Sequence, residues 1–134
     1  MLTSQVTYEG ELRTKAVHIL SGTGIITDAP PDNQGKGEAF SPTDLVATAL
    51  ASCMLTIMGI AARTHQMDIR GTQVEVTKVM ASNPRRISEV HCHLHIPAGF
   101  NDKQKAILEH AARTCPVMQS LSSDMLKVVT FTFA

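Results

Sequence analysis

The feature that most constrains the fold is a run of residues, 45–62, that contains no charged side chain. Its length reaches the roughly 18 apolar residues that a membrane-spanning helix needs. However, the run includes many alanines, a glycine and several hydroxyl side chains, and Asp44 and Arg63 bound it. This composition favours a helix that is buried within protein. We therefore predict a long core helix and no membrane partner.

The residues before this run predict where the helix begins. Ser41 is a preferred N-cap residue, and Pro42 is pre-set for the first helical position. Asp44 falls in the first turn, where the helix dipole favours a negative charge. We expect the helix to end between residues 63 and 66. A sheet covers only one side of such a helix, so we expect a second subunit to cover the other.

Segments of alternating polarity on both sides of this helix predict β-strands. Before it, we expect a hairpin over residues 5–20 that turns at Glu9-Gly10-Glu11, a strand over 24–27 and a turn-rich loop over 28–37. After it, we expect strands over 72–79 and 87–96 joined by a turn at Asn83-Pro84, a helix over 103–113, a short helix from Cys115-Pro116 to 121, and a strand over 128–133. This order favours an antiparallel α+β fold over a series of βαβ units.

Length and charge limit the number of domains and the kinds of partner. A chain of 134 residues fits a single domain spanning residues 1–134. The 12 basic residues balance the 12 acidic ones, so no overall field favours nucleic acid or anionic lipid. The N-terminal residues lack the basic start and apolar stretch of an export signal, and we expect a cytoplasmic location.

Three cysteines in a reducing compartment argue against a structural disulfide framework. No Cys-x-x-Cys motif occurs, which gives no support to a zinc ribbon or a thioredoxin-type site. Cys92 alternates with apolar residues along its predicted strand, so we interpret it as core filling. The opposite face carries His91, His93 and His95, which are possible Zn²⁺ or Cu²⁺ ligands. Because we find no carboxylate or thiol in that stripe, we predict neither a metal nor a cofactor.

The other two cysteines occupy contrasting positions. Cys115 is at the predicted N-cap of the short helix, where unpaired N–H groups favour a thiolate. Cys53 lies in the middle of the long helix, where every nearby N–H group is already used. Among apolar neighbours its thiol is either inert or activated by a cation from elsewhere in the fold. The local pattern alone leaves both alternatives open.

Two stretches resemble signatures of the OsmC/Ohr family. The first runs from Ser41-Pro42 through Cys53 to Thr56, and the second is Cys115-Pro-Val-Met-Gln-Ser-Leu121. Further similarity to the OsmC-like branch appears in His18-x-x-Ser21-Gly22, Thr27-Asp28-Ala-Pro30 and Asp32-Asn33-x-Gly35-Lys36-Gly37-Glu38. With the strand order, the resemblance covers nearly the whole chain.

The resemblance implies an OsmC-like fold in which antiparallel sheets wrap around two long central helices of an intertwined homodimer. It implies a thiol-dependent peroxidase in which Cys53 attacks the peroxide O–O bond and becomes a sulfenic acid. Cys115 then condenses with Cys53 to a disulfide, which an external dithiol, lipoyl-type in the Ohr branch, reduces. An apolar pocket beside Cys53 would suit organic hydroperoxides better than hydrogen peroxide.

In this family an arginine held by a glutamate activates the attacking thiol. Here Thr43 stands where Ohr-type members have that glutamate, in Pro42-Thr43-Asp44-Leu45. Glu38 or Asp44 is the candidate substitute, and Arg13 is the candidate arginine, with Lys36 a weaker one. The missing glutamate also keeps open a second function, a small-molecule-binding or stress-response protein with little or no peroxidase activity.

Overall fold

A computed structural model describes all 134 residues. Residue contacts divide the chain into two compact units, Met1–Val46 and Ala47–Ala134. That the two together make one domain stays a prediction. Both units contain a three-stranded sheet, and the long helix begins in the first unit and continues through the second.

The N-terminal unit is built on an antiparallel sheet with strand order β1-β2-β3. Its elements are β1 (Ser4–Gly10), β2 (Arg13–His18), β3 (Gly24–Asp28) and a short 3-10 helix (Pro31–Asn33). The predicted hairpin and third strand are therefore confirmed. The hairpin turn lies slightly later than predicted, because Gly10, Glu11 and Leu12 all have positive φ angles. The register of β2 and β3 places Arg13 opposite Asp28.

The loop after β3 folds back on itself. Ala29 accepts a backbone hydrogen bond from Gly37, and Pro30 accepts one from Gly35. A side chain at Gly35 would place its Cβ 1.7 Å from the Ala29 carbonyl oxygen, so only glycine fits there. The turn formers noted in the sequence thus produce a closed loop with a fixed backbone path.

The long helix α1 spans Pro42–Thr64, as its flanking residues predicted. The Ser41 side chain accepts a hydrogen bond from the Asp44 backbone N–H at 3.0 Å. The Asp44 carboxylate in turn accepts one from the Ser41 backbone N–H at 3.0 Å. This reciprocal pair satisfies two backbone donors that the helix itself cannot pair.

The C-terminal unit contains the rest of α1, a second sheet with strand order β4-β5-β6, and two shorter helices. The elements after α1 are β4 (Gln73–Ala81), β5 (Arg86–Ile96), α2 (Asp102–Arg113), α3 (Pro116–Ser120) and β6 (Leu126–Phe133). Its core joins Leu50, Met54 and Met58 of α1 to Leu94 of β5 and Leu108 of α2, all of them 0% exposed. Each such side chain contributes roughly 1.5–3 kcal/mol by leaving water.

The mixed α+β class is confirmed, but the prediction of a purely antiparallel second sheet is wrong. β4 and β5 pair antiparallel, as predicted, whereas β5 and β6 pair parallel. The connection between β5 and β6 contains both α2 and α3. A connection of that length returns the chain to the end of the sheet at which β5 begins, so that β6 can run in the same direction as β5. A tight hairpin turn cannot do this.

Helix α1 is long and apolar enough to cross a membrane by length and composition alone, a test that core helices of soluble proteins also pass. One of its faces is buried in the core of the C-terminal unit. The opposite face is exposed in the single chain at Ala49, Ser52, Thr56 and Ile60, and Ile60 is 57% exposed. The helix thus has one covered face and one uncovered face of mixed apolar and hydroxyl side chains.

Candidate active site

The fold brings together the two cysteines that the sequence singled out. Cys53 lies in α1, and Cys115 is the N-cap residue of α3. Both are free thiols, and they are close enough for Cys53 to act on Cys115 by hydrogen bonding and by charge. Cys53 is partly exposed, whereas Cys115 is 0% exposed. A solute that enters from outside therefore meets Cys53 first.

The prediction that Cys115 favours a thiolate is wrong, although its N-cap position is confirmed. Burial is the largest cause that raises the pKa of Cys115, and the Cys53 thiol raises it further. The backbone N–H groups of Met118 and Val117 oppose this shift but do not outweigh it. The helix begins at Cys115 as predicted, but a sequence pattern does not reveal that this sulfur is sealed from water, and burial disfavours the charged thiolate.

Cys92 is a core residue, as predicted. It is 1% exposed on the inward face of β5. Burial, followed by the charge of Cys115, raises its pKa to about 11. Such a thiol is protonated at neutral pH and is a poor nucleophile.

Arg13 is held by a carboxylate, though not by one of those predicted. Its Nε and Nη2 atoms donate hydrogen bonds to Asp28 Oδ1 at 2.7 Å and Oδ2 at 2.8 Å. Glu38 lies farther away, with its Oε1 atom 3.7 Å from Arg13 Nη2. Asp44 is engaged with the Ser41 backbone at the start of α1. All five of these residues belong to the N-terminal unit. The catalytic roles expected for Arg13, Glu38 and Asp44 stay predictions.

Asp28 is the residue that the sequence analysis missed. It was noted only as part of the Thr27-Asp28-Ala-Pro30 similarity. Its pairing with Arg13 depends on the register of β2 and β3, which the turn between them sets. Because β2 begins at Arg13 and β3 ends at Asp28, two correctly bounded strands would have paired these residues.

The histidine stripe lies on the outer face of β5, and the premise that it contains no carboxylate is wrong. His91 is hydrogen-bonded to Glu89 at 2.9 Å, and His95 is hydrogen-bonded to Glu75 of β4. His93 pairs with threonine hydroxyls of β6. No three of these groups are arranged to hold a metal ion. His93 and His95 are instead hydrogen-bonded to neighbouring strands, and His91 is hydrogen-bonded within its own strand.

Two open cavities flank α1 in the C-terminal unit. One, of about 440 Å³, lies between α1 and β4 and includes Ser52 and Leu55 in its lining, but not Cys53. The other, of about 510 Å³, lies between α1 and α2, and apolar residues form most of its wall beside His65, Lys103 and His110. The chain by itself therefore offers apolar space along α1, and Cys53 does not line either of these two cavities.

Comparison with known proteins places these features in a family. The model of the family described as OsmC-like protein matches residues 35–129, a stretch that contains both Cys53 and Cys115. Among curated proteins, none is similar enough to match the chain.

Solved structures extend the comparison to the whole chain. A Psychrobacter arcticus 273-4 protein, for which a role in osmotic-stress-induced and detoxification responses is only suggested, is 57% identical, with a TM-score of 0.95 over 98% of this chain and 96% of its own. Two organic hydroperoxide resistance proteins show the same fold at much lower identity. The one from Legionella pneumophila is 17% identical with a TM-score of 0.73, covering 100% of this chain and 98% of its own. The one from Elizabethkingia anophelis is 16% identical with a TM-score of 0.77, again covering 100% and 98%. The chain therefore belongs to the OsmC-like protein family.

Proposed function

We propose that this protein is a thiol-dependent peroxidase that reduces organic hydroperoxides through Cys53 and Cys115. The observation that carries the proposal is the pairing of a partly exposed thiol with a fully buried one, from two segments that are remote in the chain. Family membership supports it, since two proteins of the same fold are described as organic hydroperoxide resistance proteins.

The difference in exposure orders the chemical steps. The Cys53 thiolate attacks one peroxide oxygen and the O–O bond breaks, which leaves a sulfenic acid on Cys53 and releases the alcohol once the alkoxide takes a proton. The Cys115 thiol then attacks the Cys53 sulfur, and the disulfide forms as water leaves. An external dithiol reduces the disulfide by two exchange steps and becomes a disulfide itself. Arg13 is the proposed cation that favours the Cys53 thiolate.

Burial suits Cys115 to the second role. A thiol whose pKa is raised is mostly protonated, so it does not compete with Cys53 for peroxide. Sealed from water, it is also protected from oxidation by peroxide in solution. Once Cys53 is a sulfenic acid, the neighbouring Cys115 sulfur needs no diffusion to reach it.

Mixing the reduced protein with cumene hydroperoxide tests this proposal. We expect one equivalent of peroxide to be consumed per subunit and a Cys53–Cys115 disulfide to appear in peptide mass spectra. Protein alkylated beforehand at Cys53 is the control and should consume none. Absence of both consumption and disulfide would contradict the proposal.

A small molecule retained through purification would then favour the binding function, with the 510 Å³ cavity between α1 and α2 as its site.

We also propose that the protein is a homodimer. The exposed face of α1 supports this, as do exposed apolar residues of the N-terminal sheet, where Val6 is 61% and Tyr8 is 64% exposed.

Sedimentation equilibrium should give twice the 14.5 kDa mass of the chain. The variant Ile60→Asp, which buries a charge if two subunits meet at this face, should shift the protein towards monomer. A monomeric wild-type protein at micromolar concentration would contradict the dimer.

A further inference from the structure

The cavity of about 510 Å³ between α1 and α2 lies entirely within the C-terminal unit. Its volume falls within the range of small-molecule sites. Three of its lining residues are alanines, Ala61, Ala106 and Ala111, whose short side chains leave room between the two helices. The larger side chains of Met58 and Leu108, on the same helices, lie in the buried core and are 0% exposed. The cavity is therefore a product of how these two helices pack.

The polar side chains around this cavity can all donate hydrogen bonds. Lys103 carries a positive charge, and His65 and His110 each have at least one ring N–H group. No carboxylate lines the cavity, and no side-chain ion pair or side-chain hydrogen bond engages any of these three residues. Unpaired donors beside an apolar wall are complementary to an anionic group attached to an apolar body.

Hydrogen bonds fix the backbone that carries these donors. At the start of α2 the Asn101 N–H donates to Gln104 Oε1, and the Gln104 N–H donates to Asn101 Oδ1, both at 2.9 Å. Lys103 lies between these two residues. The His65 backbone N–H donates to the Ala61 carbonyl at 3.0 Å, which extends the helical geometry one residue beyond α1. A ligand therefore meets a backbone that is already in place, which lowers the cost of binding.

We propose that this cavity binds a planar aromatic carboxylate. The ring lies against the alanine side chains and Ile107, and the carboxylate pairs with Lys103 and accepts hydrogen bonds from the imidazoles. Alanine side chains form a shallow wall, which suits the flat face of a ring. A rigid ring also loses less conformational freedom on binding than a flexible chain does. Because Cys53 does not line the cavity, this inference does not depend on the peroxidase function.

An NMR titration of isotope-labelled, reduced protein with 2-naphthoate tests the proposal. We expect the amide signals of Ala61, Lys103, Ala106 and His110 to shift together and to saturate. Half-saturation should fall at or below about 1 mM, which a ligand of about thirteen heavy atoms reaches at ordinary ligand efficiency. 2-Naphthamide has the same ring without the charge and should bind about fivefold more weakly, because its interaction with Lys103 lacks the ionic part.

The variant Ala106→Glu places a competing carboxylate among the donors. Residue 106 is three residues after Lys103 and four before His110, so the new side chain lies on their face of α2 and pairs with them in place of the ligand. We expect 2-naphthoate to bind at least about tenfold more weakly, since its own partners are occupied. Ala106→Gln is the matched control, nearly equal in size but uncharged, and should weaken binding much less. Both residues are good helix formers, and position 106 is exposed, so both variants should fold.

The variant Lys103→Met removes the positive charge and keeps most of the length of the side chain. We expect 2-naphthoate to bind about fivefold more weakly, the upper end for a solvent-exposed ion pair. Lys105→Met is the same change two residues along the helix. Lys105 does not line the cavity, and its Nζ atom lies 5.1 Å from the centre of the Phe133 ring. This control should bind 2-naphthoate as wild type does.

Several results would overturn the proposal. Signals that do not saturate, or that shift mainly outside this cavity, would place the ligand elsewhere or nowhere. Equal affinity for 2-naphthoate and 2-naphthamide, or equal losses in Ala106→Glu and Ala106→Gln, would show that the cationic donors do not select the ligand. Absence of binding because a second copy of the chain covers the cavity would overturn it as well. The titration uses no peroxide, so its outcome is separate from that of the peroxidase test.

Discussion

Replacing Cys53 with serine is expected to lower peroxide consumption by at least about 10³-fold, the scale of loss when a nucleophile is removed. A serine hydroxyl is not ionised near neutral pH and cannot attack the O–O bond, and no other thiol of the chain can take over. Cys115 is 0% exposed and Cys92 is 1% exposed, and the pKa of each is raised. The measurement is the loss of cumene hydroperoxide in the presence of excess dithiol.

The matched control for this experiment is Cys92→Ala. It removes a thiol from the same core without touching the partly exposed one, and circular dichroism checks that the variant is folded. We expect it to consume peroxide at close to the wild-type rate. If the Cys53→Ser variant keeps its activity and the Cys92→Ala variant loses it, the attacking sulfur is not that of Cys53. That result would refute the order of steps given above.

Replacing Cys115 with serine is expected to leave the first oxidation and to stop the cycle after it. The sulfenic acid on Cys53 then has no partner, so dimedone should trap it, and excess peroxide should convert it to the sulfinic acid. With a lipoyl-type dithiol as reductant, we expect steady-state turnover to fall at least about 100-fold, since the intramolecular advantage of a neighbouring thiol is lost.

Intact-mass spectrometry follows the Cys115→Ser reaction directly. Wild type should lose two hydrogens as its disulfide forms, whereas the variant should gain first one oxygen and then a second. The experiment is done without small thiols until the reductant is added, because they would resolve the sulfenic acid in place of Cys115. A Cys115→Ser variant that turns over at the wild-type rate would show that Cys115 is not the resolving thiol.

Much of the fold could be predicted from short stretches of sequence. The start of α1 follows from Ser41 and Pro42, and the cap of α3 follows from Cys115 and Pro116. Strand alternation placed Cys92 inward and the histidines outward. These properties depend on residues within one or two turns of each other, and a linear pattern records such neighbours.

The electrostatic details could not be predicted in the same way. The raised pKa of Cys115 depends on burial by elements that are remote in the chain. The pairing of Asp28 with Arg13 depends on strand register, and so does the contact of His95 with Glu75 of β4. The thiolate expected at Cys115 is wrong because the elements that bury its sulfur are remote in the chain. Glu89, by contrast, is two residues from His91 on the same strand, so this carboxylate could have been found from the strand alternation alone.

The sequence by itself determined which elements form and where they begin, and its resemblance to family signatures singled out the sulfur atoms of Cys53 and Cys115 as candidates for redox chemistry. Only the tertiary structure decided that one of those sulfurs is accessible and the other sealed, that β6 runs parallel to β5, and that Asp28 pairs with Arg13. The physical reason is that backbone propensity is local, whereas solvent access and charge pairing are set by segments that meet only when the chain has folded.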